Sequence, residues 1–202
     1  MDIFLAYLKK ILGKVKILFD VTFWIVIRPT RFGKDITDEE QHIKRSLTYF
    51  TEAFAVFYVC VGWNFESHLG RFASEIIVYS MAVFLLMYGG IISWSIGLFA
   101  GRKRLYKATT SSYLYCYGFS LLLTSIFLLN EELLKEGFLY FFIILLTICY
   151  YAIVPIICIQ SIAHVNKVSF IRSLAAFAVS LVFLMAICFL LLLTISVTLA
   201  AP

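Results

Sequence analysis

The chain has 202 residues, 62% of them hydrophobic and 14% charged, with a formal net charge of +5 and a mean hydropathy of +0.96. Soluble domains carry about 25% charged residues; here the few charges sit in short islands between long uncharged stretches, which excludes a water-soluble globule and reads as one membrane domain. The five cysteines (Cys60, Cys116, Cys149, Cys158 and Cys188) lie in apolar runs without a C-x-x-C pair, so neither a disulfide framework nor a zinc site is expected.

In chain order, the first element is a helix over residues 3–19. At 100° per residue Phe4, Leu8, Ile11, Leu12, Val15, Leu18 and Phe19 gather on one side. Lys9, Lys10, Lys14, Lys16 and Asp20 are assigned to the other, and such a helix lies in the membrane interface. Each lysine gains roughly 1 kcal/mol beside anionic headgroups. The lysines also interrupt the apolar stretch, so no cleavable signal peptide is expected. Residues 21–27 are apolar all round, and the helix should end near Ile27 because Arg28 precedes Pro29. Seven apolar residues are too few to span, so this end lies flat, dips into the bilayer or packs under the bundle.

Residues 28–45 form a polar connector. Thr37 and Glu40 have capping-box spacing, which predicts a helix from near Asp38 that runs from water into the membrane. Residues 1–45 are thus a cytoplasmic amphipathic helix with its connector, and 46–202 a transmembrane domain. Its five predicted spans are 47–65, 76–100, 113–129, 138–159 and 174–199, each with the ~17–26 residues that cross a bilayer. The first, which contains Glu52, and the third, which is the shortest, decide between five spans and four. The expected fold is all-α: a five-helix membrane bundle preceded by an interfacial helix.

Fifteen Lys and Arg fall on one side of this layout, including Arg102, Lys103 and Arg104, against Arg71 and Lys135 on the other. The positive-inside rule then puts the N-terminus in the cytoplasm and the C-terminus outside, as in a bacterial inner membrane.

Gly89, Ser93, Gly97 and Gly101 recur every four residues, a flat stripe for close helix packing or for an oligomer interface. Pro155 falls mid-span and removes a backbone donor, which predicts a kink. Glu52 is an intramembrane acid, a functional candidate by default, although Lys44 or Arg45 lies near enough in sequence to pair with it. His42, His68 and His164 lie in different polar segments, and no G-x-S-x-G, H-E-x-x-H, P-loop or G-x-G-x-x-G occurs. No enzyme activity, cofactor, metal or direct nucleic-acid binding is therefore expected.

Arg28, Pro29 and Phe32 form an aromatic-basic R-P-x-x-F connector. Residues 101–122, GRKRLYKATTSSYLYCYGFSLL, set a basic loop before an aromatic-glycine start to the third span. With the N-terminal amphipathic segment and five spans, this layout resembles the Yip1-type membrane proteins. Two features of that family are missing: the acidic D-L-x-G-P signature of its eukaryotic branch, and a proline early in the third span, where Ser120-Leu121 stands. The resemblance implies a non-enzymatic role, which in eukaryotes is organising vesicle membranes and binding small GTPases. With the signature missing, GTPase binding is assigned to no residue here.

The reading that follows is a multi-pass scaffold or sensor, oligomeric, that offers a basic cytoplasmic face to a protein partner or anionic lipid. Lys9, Lys10, Lys14 and Lys16 would meet the membrane; Arg28, Arg31, Phe32, Arg102, Lys103 and Arg104 would meet the partner or lipid. The competing reading is a small transporter or channel that uses Glu52 and Pro155.

Overall fold

The computed structural model describes residues 2–69, 80, 87–99, 105–133 and 137–200. These residues are helical throughout, joined by turns and short irregular segments, with no strand among them. Helix α1 covers Asp2–Ile27. It stops where expected: Arg28, with φ −132° and ψ 54°, is turned out of the helical region by the proline that follows. Pro29 then opens a single turn, α2 (Pro29–Phe32), at the helix position where its missing N–H costs nothing.

Helix α3 covers Glu40–Leu69 and contains the first predicted span. The apolar helical stretch Met87–Phe99, here α4, belongs to the second predicted span, whose remaining residues apart from Ser80 lie outside the described ones. Helix α5 covers Tyr106–Leu133, α6 Phe138–Asn166 and α7 Phe170–Ala200. Lys167 ends α6 in the left-handed conformation, φ 54°, and the Val168 N–H reaches back 3.0 Å to the Ala163 carbonyl. That closure satisfies orphan carbonyls and reverses the chain into α7 within three residues.

Among the described residues, three helices are long and apolar enough to cross a bilayer, over Tyr106–Leu128, Tyr140–Asn166 and Phe170–Ile187. All three extend past the predicted spans on one side. The added residues 106–112 carry four serines and threonines, and two of their hydroxyls fold back on the helix. Thr109 Oγ1 donates to the Leu105 carbonyl at 2.8 Å and Ser112 Oγ to Ala108 at 3.0 Å, so they pass as internally satisfied groups. Helix α3 is not among the three, because Thr48, Thr51, Glu52 and its tyrosines dilute its apolar content.

Helix α5 is the centre: 61% of its spanning window is buried, against 28% for α6 and 17% for α7. Tyr113, Tyr115 and Cys116 on α5 are fully covered, as are Tyr49 on α3 and Ile162 on α6. The outer faces of α6 and α7 carry exposed Phe141, Leu145, Ile148, Val182, Met185 and Phe189, an apolar surface of the kind that meets lipid tails or another copy.

The turn after α2 lies close against the backbone of α6. A Cβ built on Gly33 would lie 2.4 Å from the Ser161 Cα, and backbone cannot yield as a flexible side chain does. Gly33→Ala is therefore expected to destabilise the protein by about 1–3 kcal/mol, read as a lower midpoint of thermal unfolding in detergent. Gly13→Ala, where no atom lies within 4 Å of the new Cβ, should leave that midpoint unchanged or raised.

Candidate functional site

On α3 the Glu52 carboxylate accepts from Lys14 Nζ of α1 at 2.8 Å, with the two side chains 24% and 46% exposed. This replaces the expected partners. Lys44 pairs instead with Glu40 at 2.8 Å, one turn away, because a residue eight positions from Glu52 lies two turns off along the rod. Arg45 turns into a cleft beside α1. The four lysines also do not share one side of α1. Lys14 and Lys16 are two residues apart and so about 160° apart around a helix: Lys16 is exposed, whereas Lys14 faces α3. Lys9 and Lys10 lie further along the same helix.

A second tie is the hydrogen bond between Thr22 Oγ1 and the Tyr49 hydroxyl, 3.0 Å. Val21 and Ile25 are buried on the same side of α1. Trp24 meets Phe32 edge-on at a centroid distance of 4.7 Å and Tyr115 at 6.2 Å, and Phe32 lies 5.7 Å from Tyr115. Phe32 is thus fully buried, which corrects its assignment to a contact surface: the turn of α2 drives its ring into the core, while Arg28 and Arg31 beside it are exposed. Arg102, Lys103 and Arg104 lie outside the described residues, as does Gly101.

The opposite side of α1 leaves Leu12, Val15, Phe19, Phe23 and Ile27 exposed, from 42% for Val15 to 70% for Phe19. The helix therefore docks through a mixed face and turns its largest apolar side chains outward, the reverse of the arrangement in water.

Asp38, near which the helix was expected to start, sits just before α3 and reaches a different helix. Its Oδ1 accepts from the Ala108 backbone N–H at 2.9 Å, so it caps the first turn of α5 from across the bundle. Nothing in the local pattern announces this, since the two residues are 70 apart in sequence. The Lys14–Glu52 pair did have a signal: an acid within an apolar stretch needs a cation, and Lys14 is out of phase with Lys16.

Two clefts flank the docked α1. One of about 550 Å³ is lined by Lys14, Lys44, Leu47, Thr51 and Glu52. The other, about 620 Å³, is lined by Asp20, Phe23, Trp24, Asp35, His42 and Arg45. Pro155 lines a third space of about 290 Å³ between α5, α6 and α7, with Ser120, Thr124, Tyr151 and Cys158. There the Tyr151 hydroxyl is hydrogen-bonded to Thr124 Oγ1, and lies 3.4 Å from the Ser120 carbonyl. Helix α6 runs unbroken through Pro155. Of the small-residue stripe, Gly89 lies against the Tyr113 ring and Ser93 Oγ bonds Thr110 Oγ1 at 3.1 Å, so this part of it faces α5. Gly97, one turn on, is half-buried. Among the described residues no group of three or more His, Cys, Asp or Glu gathers as a metal site.

No family model matches this chain, and neither a curated protein nor a solved structure does.

The interlock is testable by a double-mutant cycle. Glu52→Gln and Lys14→Met are each expected to destabilise the fold, with a coupling of roughly 1–2 kcal/mol, above the 0.2–1 of solvated pairs because Glu52 is mostly covered. Asp38→Ala should cost about 1 kcal/mol by uncapping α5, measured by the same unfolding assay.

Proposed function

We propose that this chain is a non-enzymatic multi-pass membrane scaffold with five spans, in which α1 is an amphipathic helix held at the cytoplasmic interface. The observation that carries this reading is α1 itself. Polar ties at Lys14–Glu52 and Thr22–Tyr49 fasten one side to the bundle, while a file of exposed apolar side chains runs along the other. A helix docked this way has an apolar outer surface suited only to lipid or to a partner. Exposed Lys16, Arg28, Arg31 and Lys34 border it, and they suit anionic headgroups or an acidic protein surface. The Yip1-type resemblance agrees with such a role. We place the protein in a bacterial inner membrane, N-terminus inside and C-terminus outside, on the one-sided distribution of Lys and Arg. The exposed apolar faces of α6 and α7 are where a second copy would pack.

The transporter reading has one observation in its favour, the Pro155-lined space between α5, α6 and α7. Against it, Glu52 is on another side of the bundle and is already neutralised by Lys14.

Crosslinking and affinity capture of the full chain in its native membrane should recover a homo-oligomer or a stoichiometric cytoplasmic partner. Pro155→Ala, which leaves both polar ties of α1 in place, should leave that capture intact. A monomer with no partner, together with a solute flux abolished by Pro155→Ala, would replace the scaffold with the transporter.

A further inference from the structure

The cleft between α1 and the start of α3 holds a distinctive set of charges. Asp20 comes from α1, Asp35 from the turn after α2, and His42 and Arg45 from the first turns of α3. Carboxylates and a guanidinium on one wall ordinarily find each other. Here all three are exposed, and among the described residues Asp20, Asp35 and Arg45 enter no ion pair within 4.0 Å. The His42 Nδ1 is buried without a hydrogen-bond partner. The cleft therefore keeps both signs of charge uncompensated over about 620 Å³.

The surroundings say which kind of ligand fits. Phe23 is 66% exposed beside the charges, and Trp24 lines the same wall. Tryptophan with an apolar body and a polar edge belongs at headgroup depth. Arg45 lies two residues before the predicted start of the first span, where a chain leaves the hydrocarbon. A ligand here would have acyl chains along the exposed face of α1 and a headgroup in the cleft.

We propose that this cleft is a headgroup site for a zwitterionic aminophospholipid, with its ammonium between Asp20 and Asp35 and its phosphate on Arg45. Arginine recognises phosphate oxygens through paired N–H donors; His42 lines the same wall. A primary ammonium has N–H groups for both carboxylates. A trimethylated choline has none, and a glycerol headgroup brings no cation at all, leaving two carboxylates facing a phosphate. Discrimination thus comes as much from repulsion as from attraction. The proposal rests on the interfacial placement of α1 proposed above, and it adds a specific lipid to a face otherwise read as generally basic.

The test uses the purified full chain in nanodiscs holding equal amounts of phosphatidylethanolamine, phosphatidylcholine and phosphatidylglycerol, with retained lipid identified by native mass spectrometry. Retention of phosphatidylethanolamine over the other two is expected. The double variant Asp20→Asn with Asp35→Asn, and separately Arg45→Gln, should each reduce that preference roughly tenfold, the scale of one charge-assisted hydrogen bond. Both variants should keep the helical content and elution volume of the parent, since none of these groups enters an ion pair among the described residues. Equal retention of the three lipids, preference for choline or glycerol headgroups, or a preference that survives the double variant would overturn the site. A spin label at Phe19→Cys separates this from the underlying reading. Accessibility to a lipid-soluble quencher keeps α1 at the interface even where the headgroup preference fails, whereas accessibility only to a water-soluble quencher removes both.

Discussion

Inside a bilayer a polar group has no water to fall back on, and the rest of this bundle is arranged around how α5 meets that constraint. Its hydroxyls at Thr109, Ser112, Ser120, Thr124 and Ser125 each donate to the carbonyl four residues back. Several then use their remaining capacity across the interface. Thr109 Oγ1 accepts from Asn166 at 2.8 Å and Ser112 Oγ from Ser161 at 2.9 Å. Such bonds average only about 0.6 kcal/mol each in membranes, so they set register more than they supply stability. The same small side chains let neighbouring backbones come close, and the tyrosines between them fill the remaining volume. Packing of this kind is what separates α5 from α7, whose outer face is nearly all aliphatic and aromatic.

Fastening of α1 to this core follows the same logic. A lone glutamate in this mostly covered position would be costly, whereas the pair neutralises itself and sets where α1 crosses α3. Trp24, Phe32 and Tyr115 then seal the junction as an aromatic cluster, and the glycine after Phe32 lets that turn rest directly on α6. One consequence is that the connector is not a loose linker. Asp38 within it is committed to α5, so the segments before the first predicted span and after the second are coupled mechanically.

Two clefts exist because α1 docks through few points. Where Lys14 meets Glu52 the charges cancel, and the adjacent space has little to offer a charged ligand. Asp20, Asp35 and Arg45 line the other cleft with no ion pair among the described residues, and the proposed headgroup site rests on them. A scaffold that samples lipid headgroups through one cleft and a partner through its remaining basic surface would couple the two events through α1. The Pro155 space is different in kind, a gap between packed helices with a hydrogen-bonded Tyr151 at its edge.

The sequence by itself determined the helical class, the end of α1 at Pro29 and the rough positions of the apolar helices. These follow from periodicity, proline sterics and hydropathy, which act over a turn or two of chain. The predicted spans stop short of where α5 begins and α6 ends, in stretches with polar side chains, among which Thr109 and Ser112 are satisfied on their own helix. Lys14 and Glu52 were each visible, but the pairing was not, because 38 residues separate them and only docking brings them to 2.8 Å. Burial of Phe32, the cap that Asp38 provides and the unpaired charges beside Arg45 likewise depend on which faces meet. Only the tertiary structure decided those, because a residue's partner across a helix interface is a property of two helices and is encoded in neither alone.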